Sequence, residues 1–270
     1  GASDNKGQCF YVLSAIQAFL QLRSTHKVNI KVLIEGEEEI GSSGLEGILE
    51  EKKKQLFADY VFITDLDMLG PDLPAVTLGT RGCVNFNLSC QNSDTDLHSG
   101  IFGGVVGNPA QALVSALGAC VDELNKVSIP DFYDGIQPLS TQERKEIYMG
   151  IDIKKRLENF NVRTFSSERN KELIEANWFK PTFEITALES GYLGQGTQNS
   201  IPSVAKAKLS CRIGNGQDPE HIANAAIAFL KKKLPQGMKV DVERFFGSKA
   251  YLCSPEAKVV KAACQAYEEV

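Results

Sequence analysis

Two stretches of this chain, more than a hundred residues apart, alternate apolar and polar side chains without a break. Val84, Phe86, Leu88 and Cys90 interleave with Asn85, Asn87, Ser89 and Gln91, and Ala205, Ala207, Leu209, Cys211 and Ile213 repeat the pattern. Side chains of a strand point alternately to its two faces, so each stretch belongs in a sheet with one dry face and one wet face. Such an antiparallel sheet needs a second layer over its apolar side. The sequence supplies that layer. Asn108-Pro109 opens a helix, with asparagine as N-cap and proline at the first helical position, and Leu113, Leu117, Val121 and Leu124 follow at helical spacing. Asp218-Pro219 opens another.

Further strands are expected near 182–188 and 240–246, after a polar, helical-looking insertion at roughly 130–180. Residues 82–247 then read β-α-β-β-α-β, the ferredoxin-like split βαβ pattern. The sequence before residue 80 has a different texture. Phe10, Leu13, Ile16, Phe19 and Leu20 keep the 3.6-residue period of a helix. Val28 to Ile34, rich in β-branched residues and apolar on both faces towards its end, and Tyr60 to Thr64, a second continuous strand, flank a helix marked by Leu45, Ile48 and Leu49. Strand, helix and strand in this order predict a parallel sheet covered on both sides. A last helix, opened by Ser254-Pro255, reads as a return to that first domain. The expected class is α/β, with domains at 1–80, 81–247 and 248–270.

Composition narrows the function. A net charge of -5 leaves no electrostatic footprint for nucleic acid or an anionic membrane. No run reaches the length of a membrane-spanning helix. Seven scattered cysteines, an odd number without a C-x-x-C, read as reduced core thiols of a cytoplasmic protein rather than a disulfide or zinc scaffold.

Chemistry concentrates at Glu35-Gly-Glu-Glu-Glu-Ile-Gly-Ser42, directly after the first apolar strand. An acidic run is ordinarily a solvated turn. Here, however, open α/β sheets place their sites beyond the carboxyl ends of strands, and the next strand also ends in a carboxylate, Asp65. Two neighbouring strands delivering carboxylates to one edge can bind a divalent metal, with a further acid as general base on its water. Gly191-Tyr-Leu-Gly-Gln-Gly196 does not fit a dinucleotide fingerprint, and Ser99-Gly-Ile-Phe-Gly-Gly104 lacks a P-loop lysine.

Gly1-Ala-Ser-Asp-Asn-Lys-Gly7, the Glu35–Ser42 run, Thr64-Asp65 and Asp96-Leu-His-Ser-Gly100 together resemble the M20 family of metallopeptidases, in order and spacing, across essentially the whole chain. The resemblance implies a catalytic zinc-peptidase-type α/β domain carrying two divalent metal ions, zinc first and manganese or cobalt as alternatives, interrupted by a ferredoxin-like lid or dimerisation domain. It implies Asp4 as the carboxylate bridging both metals, Glu39 and Asp65 as ligands of one metal each, and Glu38 as the general base. His98 resembles the lid histidine that reaches a partner subunit's site and polarises the scissile carbonyl. Arg212 resembles the arginine that grips the substrate carboxylate, and Asn199 is a weaker candidate for a substrate contact. Glu37 and Asp67 read as surface acids, and His26 and His221 receive no role.

The family pattern also has an upstream His-x-Asp motif and a second metal-binding histidine near the far end, and neither occurs here. The chain is therefore expected to be a fragment with three of five first ligands, inactive or nearly so by itself. The activity implied is hydrolysis of a dipeptide or short peptide by a metal-bridging hydroxide, in a homodimer formed through the lid. An N-acyl-amino-acid or acetylornithine-type deacylase of the same family is the alternative. A non-catalytic dimerisation or binding module is the alternative from another class.

Overall fold

The computed structural model describes residues 1–22, 27–66, 68, 70, 73–141, 143–144, 152–158, 160–162, 170–245 and 247–269. Asp67, His26 and Phe246 lie outside the described residues, as does part of the insertion expected at 130–180. The chain divides into two units, Gly1–Thr77 with Glu256–Val270, and Leu78–Pro255.

The first unit is helical where the period predicted helix. A wide turn at Ala2–Lys6 leads into α1 (Gly7–Leu22). A single 3-10 turn, Glu38–Ile40, precedes α2 (Leu45–Glu51) and α3 (Lys53–Leu56). The two expected parallel strands are not formed. Residues 28–34 and 60–65 have no assigned secondary structure and lie in no ladder, and every strand pair among the described residues is antiparallel. A strand is defined by its hydrogen-bonded neighbour, and here neither run has one. Their apolar side chains remain in solvent, Val61 at 77% and Ile63 at 83% exposure.

The second unit holds the core. Its elements in chain order are β1 (Gly79–Thr80), β2 (Gly82–Gln91), β3 (Leu97–His98), α4 (Ser99–Phe102), α5 (Pro109–Gly118), α6 (Ile153–Glu158) and α7 (Asn170–Trp178). They continue with β4 (Thr182–Ser190), β5 (Ser200–Ile201), β6 (Val204–Ile213), α8 (Pro219–Lys233), β7 (Lys239–Arg244) and β8 (Tyr251–Leu252). A final helix, α9 (Lys258–Glu268), belongs to the first unit. The sheet order is β4-β6-β2-β7, all antiparallel, with α5 and α8 as the crossovers of the β-α-β-β-α-β arrangement. Two small ribbons, β1 with β8 and β3 with β5, flank it in the topology.

The alternation predicted from sequence sets the layers. Val84, Phe86, Leu88 and Cys90 on β2 and Ala205, Ala207, Leu209, Cys211 and Ile213 on β6 are buried against Leu113, Ala116 and Leu117 of α5 and Ile222, Ala226 and Leu230 of α8. Asn108 caps α5 as expected, its Oδ1 accepting from Ala110 N at 2.9 Å and Gln111 N at 3.4 Å, with Pro109 at the first position. The helix stops at Gly118, short of Val121 and Leu124. Asp122 explains the early end: its Oδ1 accepts from Leu124 N and Lys126 N, a local turn that competes with helix. All seven cysteines are free, with Cys90, Cys120 and Cys211 buried. No described helix is long and apolar enough to cross a membrane.

Candidate active site

Asp4, Glu38, Glu39 and Asp65 lie in the first unit, and His98, Asn199 and Arg212 in the second. In the first unit the peptide bond joining Asp4 to Asn5 is cis, within the Ala2–Lys6 turn. Asn5 is the link that sequence reasoning missed. Its Nδ2 donates to Asp65 Oδ1 and, at 3.4 Å, to the carbonyl of Thr64, while its Oδ1 accepts from Cys9 Sγ at 3.5 Å. One amide thus holds the Asp4 turn to the Asp65 segment. No pattern in the sequence marks it.

Glu38 and Glu39 sit on the Glu38–Ile40 turn, which Gly41 closes at φ +93°, a left-handed conformation that glycine adopts without strain. Glu37, read from sequence as a surface acid, is structural. Its carbonyl accepts from Ile40 N and Ser42 N, each at 3.0 Å, and its Oε2 accepts from Gly44 N at 3.3 Å, just before α2. Glu35 accepts from Glu37 N at 3.0 Å and braces the same turn.

The carboxyl of Glu38 is held above its ordinary range, first by desolvation, then by like charge from Asp65, Glu39, Asp4 and Glu35. Because Glu38 is solvent-exposed, the crowding of charge is the more telling cause. It places the four other acids within electrostatic reach of the proposed base. Carboxylate oxygens are suitable donors for a divalent cation, yet among the described residues no three His, Cys, Asp or Glu side chains are grouped closely enough to hold one. The described acids therefore do not amount to a metal site as placed.

In the second unit β3 and β5 bring His98 and Asn199 together. His98 pairs with Ser200, and Ser99 N donates to Asn199 O at 3.0 Å. His98 also caps α4, its Nδ1 accepting from Gly100 N at 3.0 Å. With Nδ1 an acceptor, the neutral ring carries its proton on Nε2, which makes that edge a donor. Gly100 makes room for this ring, since a Cβ there would lie 3.0 Å from His98 Cε1. Asp96 Oδ1 accepts from Ser203 N at 2.8 Å and ties the ribbon to the start of β6.

Arg212 lies near the other end of β6, paired with Cys83 and Thr182 on the exposed face of the sheet. The His98 ribbon joins β6 at Val204, so the two residues are separated by roughly 27 Å of strand at about 3.4 Å per residue. His221 approaches Asp134 at 3.5 Å, away from every proposed role.

The chain thus combines a turn that sets several acids near Glu38 with an antiparallel β-α-β-β-α-β unit. The sequence profile of Peptidase family M20/M25/M40 matches residues 1–270, and the chain belongs to that family. It is 35% identical over 219 residues to the Beta-Ala-His dipeptidase of Rattus norvegicus, covering 79% of this chain and 44% of that protein. A Cys-Gly metallodipeptidase of Candida albicans is 29% identical over 279 residues, covering 100% of this chain and 57% of the relative. The structure resembles that of human carnosine dipeptidase 1 with a TM-score of 0.86 and 30% identity, covering 98% of this chain and 57% of the other. The chain spans about half the length of the curated relatives it matches.

Proposed function

We propose that this chain is the part of a metal-dependent dipeptidase that carries the general base, most of the carboxylate ligands and the substrate-facing lid. The match to the metallopeptidase family along residues 1–270, with Asp4, Glu38, Glu39 and Asp65 all in one unit, carries the reading. Relatives named as Beta-Ala-His and Cys-Gly dipeptidases favour a dipeptide substrate. Asp4, Glu39 and Asp65 would hold two divalent ions, zinc foremost, together with further ligands, and the ions would activate the attacking water.

Glu38 takes a proton from the attacking water and returns it to the leaving amine, a shuttle helped by a carboxyl pKa above the ordinary value. Arg212 and Asn199 hold the substrate, and the Nε2–H of His98 stabilises the developing oxyanion. A dipeptide is far shorter than the strand length between His98 and Arg212, so one copy cannot present both to the same molecule. This separation supports a homodimer in which the unit at 78–255 serves as lid and dimerisation domain and lends His98 to its partner. A cytoplasmic location fits the free thiols.

The test is a panel of dipeptides and N-acyl amino acids, assayed on the protein extended to the length of its relatives. Preferential cleavage of dipeptides supports the reading. Preferential deacylation supports the deacylase alternative, and no turnover of either class, with metal bound, supports a binding module.

A further inference from the structure

On the outer face of the four-stranded sheet, Arg81 stands beside Arg212 in an arrangement that the roles above leave unused. Arg81 immediately precedes β2, and its Nη1 donates to Lys180 O at 3.2 Å, two residues before β4. Because β6 lies between β2 and β4, the side chain crosses the end of β6, a span of about two strand spacings or roughly 10 Å. Arg212 occupies that end of β6. It is directly opposite Cys83 and diagonal to Arg81, a relation within reach of long side chains. Burial lowers the pKa of Arg81, the charge of Arg212 lowers it further, and Glu184 partly offsets both.

Two guanidiniums side by side repel, and the usual remedy is a carboxylate in contact with each. Among the described residues neither arginine has an ion pair, and the guanidinium of Arg212 makes no hydrogen bond. Arg81 is fixed by Lys180 with most of its donors unspent, and Arg212 is exposed with all of them unspent. A carboxylate has two oxygens and about four lone-pair positions, enough to accept from both forks.

We propose that Arg81 and Arg212 form a two-guanidinium site for the terminal carboxylate of the substrate, with Arg81 as the fixed half. The inference rests on the reading of Arg212 as the carboxylate contact and adds a second, positioning cation to it. Arg81 is pre-organised by its bond to Lys180, so little freedom is lost when the carboxylate arrives.

The probes are N-acetylglycine and its carboxamide, titrated into the 15N-labelled 270-residue chain while the arginine Nε–Hε signals are followed. The expected result is that Arg81 and Arg212 shift along one saturation curve with the acid, and neither shifts with the amide. Arg81→Gln should weaken acid binding roughly ten-fold, the loss of one charge-assisted contact. Arg81→Lys keeps the charge but loses the planar fork, so it covers the case in which Arg81→Gln does not fold, and should weaken binding by a smaller factor. If Arg212 follows the acid while Arg81 stays still and both variants bind normally, the inference is overturned and the role of Arg212 stands. If neither signal responds, both readings fall.

Discussion

Gln217 offers the sharpest energetic test of how the Arg212 end of the sheet is held. Its amide is 3% exposed and fully engaged. Oε1 accepts from Gly214 N at 2.8 Å, and Nε2 donates to Phe132 O at 2.8 Å and Asp134 O at 3.3 Å. One side chain thus joins the turn after β6 to the 132–136 loop, where Gly135 and Gly216 approach so closely that a Cβ on Gly216 would lie 2.3 Å from Gly135 O. Gln217→Ala removes three hydrogen bonds worth about 1 kcal/mol each and leaves the buried Gly214 N–H without a partner, for about 3–5 kcal/mol in total. Gln217→Glu keeps the acceptor for Gly214 but sets a negative charge against two carbonyls. It should cost more at neutral pH and recover as pH falls through the raised pKa of the new carboxyl, because the protonated acid again donates. Urea unfolding followed by fluorescence reads this unit, since the single tryptophan, Trp178, lies within it. A Gln217→Ala chain within about 0.5 kcal/mol of the parent would refute the reasoning, because surface substitutions already produce changes of that size.

Four other outcomes are expected. Burial pushes the thiols of Cys120 and Cys211 up from 9.0 to about 12, so at pH 8 a thiol reagent should label exposed Cys264 first and leave these two until unfolding. The same shifts make the fold lose stability as pH rises from about 9 to 12, where the unfolded thiols release protons that the folded ones retain; a Tm that is flat or rising over that window would contradict the assignment. Asn5→Ala frees Asp65 from the Asp4 turn and, in the protein extended to the length of its relatives, should weaken divalent-metal affinity about 10- to 100-fold by calorimetry, as loss of an outer-sphere partner does. Glu38→Gln in that protein should lower kcat by about 10²–10⁴ with metal content unchanged, and a variant that instead loses its metal would make Glu38 a ligand rather than the base.

Legibility followed what each element needs for stability. Strands β2 and β6 carry their own burial pattern, so alternation at Val84–Gln91 and Ala205–Ile213 announced both the sheet and its dry face. The cap at Asn108 is likewise local chemistry, readable from two residues. The end of α5 was less legible, because the apolar period runs on through Val121 while the turn built by Asp122 depends on backbone geometry. Residues 28–34 and 60–65 have the composition of buried strands but no ladder partner among the described residues, and composition does not reveal a missing neighbour. Asp4, the Glu35–Ser42 acids, Asp65 and His98 stand out in the sequence because they fall in motifs. The roles of Asn5, Glu35 and Arg81 do not, since each acts through a bond across the fold or to backbone, and a lone Asn, Glu or Arg carries no pattern. Glu37 looked like one more solvated charge in an acidic run until its bond to Gly44 N was seen.

Asp4, Glu39 and Asp65 are proposed to belong to a two-metal centre with Glu38 as its base. Calorimetric zinc titration, on this chain and on the protein extended to the length of its relatives, tests it most directly. About two tight zinc ions are expected in the longer protein, lost in Asp4→Asn and Asp65→Asn, and only weak binding by the 270-residue chain, whose described acids are not grouped to hold an ion. Tight stoichiometric binding by the short chain, or binding in the longer one that survives both substitutions, would contradict the ligand assignment.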